Sequence, residues 1–456
     1  MAFSPSRPTK PRLPTGSGTA RAAFWIGLYL CAVVAPLGVL LSSTTPAGGG
    51  FVWEAGIGFG FAGLAMMAVQ FLLTARFRRA AAPFGIDLIY YFHRFLAYGI
   101  VLVVLLHPVL LAWENPAVLA SCNLREASWS MLSGFGSALL LLAMVLVSAG
   151  RKLIRLPYEA WRISHLALAI GAVGLGFAHM AGIAHASASP IVRTLWTGIG
   201  CSLATVVLWV RFLRPLLLLR RPWRVESVRR EPGSAWTMTL APDGHPGISF
   251  QPGQFAWVTL RHSPFAMREH PFSIASAPGA DGRLAFTIKE LGDFTRRLGE
   301  IGEGERAYVD GPYGAFSCDR HPDAAGYAFI AGGIGVSPMA GMLRALAERG
   351  DKRPLLLVSA NAALDRMPLR EEMAVLVGTL DLRFVPVLEN PPEGWQGESG
   401  YVTEEVLARH LPPAEERRDW HCFLCGPLPM TRSVEISLRR LGIPPDRIHV
   451  ELFDMA

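Results

Sequence analysis

His93 and His107 lie 14 residues apart in one long apolar run, and His165 and His179 lie 14 residues apart in another. On an α-helix, fourteen residues return to within about 40° of the same face after a rise of about 21 Å. Each run therefore presents two imidazoles on one stripe, one near each side of a bilayer. Imidazole is an axial ligand for haem iron, and ionisable side chains inside a membrane are rare and mark function. Matched by depth, His93 pairs with His165 and His107 with His179. Two stacked bis-histidine haem sites follow, and with them an electron path across about 30 Å of insulator. The competing readings are histidines hydrogen-bonded between helices and a proton relay. His185 is the alternative to His179; it lies past the end of its run, on a different face relative to His165.

Those histidines require helices held in a membrane. Six apolar runs cover about 24–42, 52–74, 86–113, 131–149, 163–183 and 191–219, each near or above the roughly 20 residues that span the hydrocarbon. Arg76, Arg78 and Arg79 follow the second run, Arg151, Lys152, Arg155 and Arg162 the fourth, and Arg220, Arg221 and Arg224 the sixth. The N-terminal tail adds Arg7, Lys10, Arg12 and Arg21. The alternate loops carry no basic residue near Gly48, only Arg125 in the second and only Arg193 in the third. The positive-inside rule predicts both termini in the cytoplasm, with the third and fifth runs parallel. Trp53, Trp113, Trp129 and Trp161 sit where aromatic belts form. Arg94 and Arg162 flank the inner histidines; they read first as topology anchors and second as contacts for haem propionates.

Composition agrees with this division. Of the residues, 51% are hydrophobic, too many for an ordinary soluble protein, and they concentrate before residue 220. The formal charge of +7 gathers at the edges of the apolar runs, without the aromatic-interleaved basic patch of a nucleic-acid binder. Six scattered cysteines, Cys31, Cys122, Cys201, Cys318, Cys422 and Cys425, match neither a disulfide framework nor iron–sulfur spacing. Residues 1–22, rich in Pro, Ser, Thr and Arg, read as a disordered cytoplasmic tail. The first apolar run comes too late and runs too long for a cleaved signal peptide.

From Trp223 to Ser317 short alternating stretches broken by Gly and Pro predict a small antiparallel barrel, clearest at 236–240, 255–260 and 284–288. Residues 325–456 alternate strands and helices, as a doubly wound sheet does. An apolar strand at 327–331 runs into Gly332-Gly-Ile-Gly335-Val-Ser-Pro338 and an amphipathic helix at 339–349. Glycines between strand and helix let a pyrophosphate approach backbone at a helix N-terminus, and Pro338 suits a helix start. A second strand, 355–359, ends in Ala360-Asn361 without the acid that favours NADH; with Arg366 nearby, NADPH is the expected nucleotide.

Within the barrel, residues 268–276 read R-E-H-P-F-S-I-A-S. The segment resembles the flavin signature of the ferredoxin-reductase superfamily, in the H-P-F-S/T form of NADPH oxidases and ferric reductases. The resemblance implies FAD, with Phe272 over one face of the isoalloxazine, Ser273 at its reactive edge, and His270 and Pro271 beside them. Residues 287–295, T-I-K-E-L-G-D-F-T, resemble the family's second flavin segment, which implies phosphate contacts from Lys289 and from Gly292 to Thr295. Asp310-Gly-Pro-Tyr-Gly314 resembles the link between flavin and nucleotide domains. Gly332, Gly333, Gly335, Ser337 and Pro338 match the pyridine-nucleotide motif, and Phe423-Leu-Cys-Gly-Pro427 resembles the family's C-G-P segment. That implies Cys425, Gly426 and Pro427 beside the nicotinamide, with Cys425 near the hydride path. Phe453 resembles the terminal aromatic that shields the flavin, with Glu451 close by, although three residues follow it here.

The expected fold is a membrane all-α six-helix bundle over 23–221, an antiparallel β-barrel FAD domain over 222–320 and an α/β Rossmann-like nucleotide domain over 321–456. The expected function is transfer of electrons from cytoplasmic NAD(P)H through FAD and two haem b groups to an acceptor on the far side of a cell (inner) membrane. Oxygen, a ferric chelate and a periplasmic or membrane protein partner are the acceptors considered. A reading of another class is a haem-free sensor or transporter whose soluble domain binds nucleotide. The chain holds no EF-hand-like acidic loop for calcium control.

Overall fold

The computed structural model describes residues 17–42, 50–76, 86–118, 123, 125–183, 189–279 and 281–452. The chain divides into two compact units, Met1–Pro215 and Leu216–Ala456. The calls made above on Arg7, Lys10, Arg12, Gly48, Arg78, Arg79, Cys122, His185 and Phe453 lie outside the described residues.

The first unit is helical. Its elements are α1 (Ser17–Ser42), α2 (Phe51–Thr74), α3 (Ile86–Glu114), α4 (Trp129–Gly150), α5 (Tyr158–Ala181) and α6 (Pro190–Leu208). A π-helical turn, Trp209–Leu213, continues α6 into α7 (Arg214–Leu219). Helix α1 starts at Ser17, within the segment read as a tail. Among the described residues five helices are long and apolar enough to cross a membrane, and the apolar part of α1 covers Ala23–Val39. This is the pattern of a multi-pass membrane protein. Ser128 and Ser189 cap α4 and α6, each accepting from a first-turn N–H.

The helices meet through small residues, as membrane helices do when no aqueous hydrophobic effect drives them together. A Cβ on Gly63 of α2 would stand 2.7 Å from Val104 on α3, and one on Gly136 of α4 would stand 2.9 Å from Leu175 on α5. Ser137 of α4 donates to the Ala172 carbonyl of α5 at 2.7 Å. Phe61, Leu64, Ile100, Leu141, Val173 and Trp196 form the core, whereas Leu102, Val109, Leu139, Leu146 and Ile163 are exposed, as lipid-facing side chains must be. Trp113 and Trp129 are exposed at helix ends. Arg151 lies over the Tyr158 and Trp161 rings and Arg162 over Tyr158, which favours the anchor reading of Arg162.

The second unit holds two six-stranded sheets. The first contains β1 (Trp223–Glu231), β2 (Ala235–Pro242), β3 (Phe255–Leu260), β4 (His270–Ser273), β5 (Leu284–Lys289) and β6 (Arg306–Tyr313). Their order is β4-β3-β6-β1-β2-β5, all neighbours antiparallel. Trp223, Met238, Leu240, Val258, Ile274 and Phe286 fill its core. A short helix α8 (Asp293–Arg296) follows β5.

The second sheet contains β7 (Gly326–Gly332), β8 (Leu355–Asn361), β9 (Leu382–Leu388), β10 (Glu398–Ser399), β11 (Trp420–Cys425) and β12 (Ile448–Glu451). All neighbours are parallel, in the order β10-β9-β8-β7-β11-β12. Helices α9 (Val336–Glu348), α10 (Arg370–Val377), α11 (Glu404–His410) and α12 (Leu428–Arg440) complete it. One cluster, with Phe329, Met339, Leu343 and Leu357, packs one face, and another, with Ile330, Val358, Leu407 and Val434, packs the other. Both faces are buried, which is why these strands read as continuous apolar runs. Strand order reverses between β7 and β11, and open α/β sheets bind ligands outside the carboxyl ends of strands at that point.

Candidate functional site

In the helical unit the four histidines form two pairs. The His93 and His165 ring centres lie 6.2 Å apart, and those of His107 and His179 lie 6.2 Å apart. Two imidazoles on opposite sides of one metal ion, each at about 2 Å, bring their ring centres to roughly 6 Å. The donor set thus fits a bis-histidine iron at each level.

What orients each ring is legible at the other nitrogen. His107 Nδ1 lies 2.7 Å from the Gly56 carbonyl on α2, and His179 Nδ1 lies 2.7 Å from the Ser130 carbonyl on α4. A carbonyl only accepts, so Nδ1 carries the proton and Nε2 keeps its lone pair for a metal. His165 Nδ1 is 3.1 Å from Ser148 Oγ. Ser148 donates its one proton to the Met144 carbonyl at 2.7 Å and accepts from Trp161 Nε1 at 3.1 Å. The hydroxyl proton is therefore committed, and His165 Nδ1 is again the donor. Glycines make room for the outer rings: a Cβ on Gly60 would stand 2.8 Å from His107 Nδ1, and one on Gly134 would stand 2.6 Å from His179 Nδ1.

In the reductase unit, β4 carries His270, Pro271 and Phe272, all half-buried, and Ser273, which is buried. Phe294 of α8 stacks on His270 with ring centres 4.0 Å apart, and lies nearly parallel to Phe272 at 6.1 Å. The sequence reading missed Phe294, although it stands inside the 287–295 segment. Lys289 is exposed at the end of β5. The Thr295 hydroxyl donates to the Gly292 carbonyl and accepts from the Leu291 and Gly292 N–H groups. The Thr295 hydroxyl and the Gly292 N–H thus close the turn that follows β5. The Asp310–Gly314 turn also closes on itself. Tyr313 is buried and donates to Asp310, and the Gly314 carbonyl accepts from Gln254 Nε2 at 3.0 Å.

At the switch point the two expected loops meet. A Cβ on Gly335 would stand 2.1 Å from the Cys425 carbonyl oxygen, one on Gly426 2.9 Å from the Gly332 nitrogen, and one on Gly332 2.8 Å from Pro427. Gly333, at φ +53°, takes the left-handed conformation that favours glycine. Ser337 and Pro338 are buried in the first turn of α9, and the Ser337 hydroxyl is a buried group with no hydrogen-bond partner. A buried orphan hydroxyl beside a helix N-terminus at the carboxyl ends of β7 and β11 fits a nucleotide site. Cys425 is fully buried. Cys422 and Cys425 pack into cores on opposite faces of the sheet, so they form neither a disulfide nor a paired metal site. Asn361, ending β8, donates to Ser359 at 3.0 Å, and Arg366 is exposed beyond it. Arg344 pairs with Glu372 and donates to the Ala275 carbonyl, tying the segment after β4 to α9 and α10.

A third histidine group was invisible in the sequence. His421 Nδ1 lies 2.9 Å from His449 Nε2, and the His321 ring lies face to face with both, at 4.3 and 4.1 Å. Their ligand atoms fall within 4.8 Å of one another, but stacked rings direct lone pairs along parallel planes rather than at one centre. Burial, then the neighbouring His321 and Arg447, hold the His421 imidazole down to about 4. The unfolded chain takes up this proton near 6.5 while the folded chain does not, so stability falls as pH drops from about 6.5 towards 4. Thermal unfolding of the whole protein in detergent should show this loss, of order 1 kcal/mol once solvent screening is allowed for. His421→Asn should flatten the profile over that window, and an unchanged profile would refute the assignment.

Three family models match the chain in order. They are a ferric reductase like transmembrane component over residues 59–176, an FAD-binding domain over 237–317 and an oxidoreductase NAD-binding domain over 329–435. The stachydrine N-demethylase reductase subunit Stc4 of Rhizobium meliloti is 29% identical over 237 residues, covering 50% of this chain and 66% of that protein. NADH-cytochrome b5 reductase 1 of Meyerozyma guilliermondii is 35% identical over 168 residues, covering 36% of this chain and 58% of that protein. The chain spans about three fifths of the length of the curated relatives it matches. Among solved structures, the flavohem-like-FAD/NAD binding domain of nitric oxide dioxygenase from Vibrio cholerae aligns with 51% of this chain and 98% of its own. Its identity is 22% and its TM-score 0.45.

Proposed function

We infer, from a ferric reductase/NADPH oxidase-like architecture of transmembrane component, FAD-binding domain and NAD-binding domain in that order, that this membrane-anchored NAD(P)H oxidoreductase delivers electrons to the far side of the bilayer. The observation that carries the reading is the pair of imidazole pairs, each with ring centres 6.2 Å apart. A sensor or transporter has no use for two such pairs, in which three of the four imidazoles turn Nδ1 to a partner on the neighbouring helix.

In this reading, residues 23–221 form the haem-binding domain, 222–320 the FAD domain and 321–456 the nucleotide domain, with both termini and the dehydrogenase in the cytoplasm. His93 with His165, and His107 with His179, hold two haem b groups. His270, Pro271, Phe272 and Ser273 line the flavin site, with Lys289 nearby and Phe294 added to it. Gly332, Gly333, Gly335, Ser337 and Pro338 receive the pyrophosphate, while Cys425, Gly426 and Pro427 face the nicotinamide. When bound, FAD would supply the conversion of a hydride into single electrons and haem their one-electron relay. The protein's own tasks are to bring two backbone loops to the nucleotide, to hold His107, His165 and His179 in the Nδ1–H tautomer and to keep water out of the bundle. NADPH is the preferred donor, because β8 ends in Asn361 rather than an acid.

Oxygen is the proposed acceptor, giving superoxide. The relative named as a reductase subunit supports the alternative of a protein acceptor, and a ferric chelate is the third. The test is a visible spectrum of detergent-purified protein, loaded with haem and FAD, after anaerobic addition of NADPH. Reduced bis-histidine bands should appear, at half intensity in His107→Ala and His179→Ala. Admitting oxygen or a ferric chelate then identifies the acceptor by the rate at which the bands decay. If the loaded protein shows no haem bands, the transmembrane path is wrong.

A further inference from the structure

Helices α2 and α3 repeat the design of α4 and α5. Gly60 lies four residues after Gly56, whose carbonyl meets His107; Gly134 lies four residues after Ser130, whose carbonyl meets His179. Fourteen residues beyond each glycine stands a hydroxyl bonded back to the carbonyl four residues earlier: Thr74 to Gln70 at 3.1 Å, and Ser148 to Met144 at 2.7 Å. In three of the four histidines, the neighbouring helix of the same hairpin supplies a partner for Nδ1. The fourth, His93 Nδ1, is buried without one.

Directly beside it, α2 and α4 differ in chemistry. Where α4 has Met144, α2 has Gln70, an amide inside an apolar run. Gln70 is 9% exposed, and its Nε2 donates to the His93 carbonyl at 3.1 Å. Its other end, Oε1, is buried and has no partner. An orphan donor and an orphan acceptor thus belong to two residues already bonded to each other. Away from water an unpaired polar group is costly, and more so in hydrocarbon. Thr74, the position equivalent to Ser148, already gives its proton to Gln70 and leaves the Gln70 acceptor unfilled.

We propose that Gln70 is the positioning residue of the inner haem site: it clamps His93 twice, Nε2 on the backbone carbonyl and Oε1 on the Nδ1 proton. The proposal rests on the haem reading above. It makes the four ligands unequal. The outer pair leans on rigid backbone carbonyls, His165 on a committed hydroxyl, and His93 on a side-chain amide that a single substitution removes. Partners of this kind fix ring orientation and raise ligand basicity, and losing one typically costs 10–100-fold in metal affinity.

The experiment is a haem titration of the full chain in the His107→Ala background, where only the inner pair remains, followed by a redox titration of the Soret band. Gln70→Leu should weaken haem binding 10–100-fold, and Thr74→Val should bind as the background does. Gln70→Glu keeps an acceptor for Nδ1 and should retain haem while moving its midpoint to a more negative potential. Unchanged affinity in Gln70→Leu, or an equal loss in Thr74→Val, would overturn the proposal. If Gln70→Leu does not fold, the midpoint of Gln70→Glu decides, and an unshifted value counts against the clamp. Wild-type protein that takes up no haem defeats the underlying reading, an outcome distinct from haem-replete protein indifferent to Gln70.

Discussion

Gly335→Ala should cut reduction of bound flavin by NADPH by about ten- to a hundredfold while leaving reduction by dithionite intact. Gly335 has φ −58° and ψ −11°, a conformation alanine adopts freely, so the backbone is not what demands glycine. The obstacle is the Cys425 carbonyl oxygen, 2.1 Å from the position a Cβ would take. That oxygen is main chain in the last residue of β11, so it does not swing aside as a side-chain tip would. Overpacking of this kind costs about 1–3 kcal/mol. The cost falls on the two loops whose approach forms the nucleotide cleft at the β7–β11 switch point. Gly333→Ala is the comparison: it meets nothing within 4 Å but sits at φ +53°, which costs about 1 kcal/mol of left-handed strain. Stopped-flow flavin reduction should place Gly335→Ala far below Gly333→Ala. Equal rates would show that the contact between the loops is irrelevant to hydride acceptance.

The two loops were legible because a strand, a glycine turn and a helix follow in the order that a doubly wound sheet uses. The helix pairs were legible for a similar reason, since His93/His107 and His165/His179 repeat one spacing in two runs. What stayed hidden depends on contacts between distant positions. His421 and His449 become neighbours only because β11 and β12 pair in parallel, and nothing local marks them. Cys422 and Cys425 stand three residues apart, and three steps along a strand put them on opposite faces. The turn that the Thr295 hydroxyl closes on Gly292 was not legible either, since it depends on local backbone geometry. Gln70 and Ser148 did leave a trace, as polar side chains in apolar runs; their meaning came only with the neighbouring helix in place. Nothing local marks Gly60 and Gly134 either; what they do depends on the rings packed over them.

Those glycines yield the second large effect. Gly134→Ala should reduce the haem content from two per chain to one, by lowering outer-site affinity 10–100-fold. Gly60→Ala should do the same. Helix propensity alone favours both substitutions by about 1 kcal/mol, so the helices themselves gain. The loss arises because a methyl at Gly134 would stand 2.6 Å from His179 Nδ1, and one at Gly60 2.8 Å from His107 Nδ1. Either ring is then pushed off the carbonyl that holds its tautomer, Ser130 or Gly56. Both substitutions act on one outer site, so the double variant should lose no more haem than either single one, the non-additivity expected of a shared site. Gly174 on α5 has nothing within 4 Å of its Cβ position, and Gly174→Ala should keep two haems. A pyridine haemochrome assay against protein concentration, with far-ultraviolet circular dichroism alongside, reads all four proteins. Two haems retained at Gly134→Ala would mean that the imidazole is not seated on that glycine. One haem lost from a chain whose helices are at least as stable as before leaves displacement of the ligand ring as the cause.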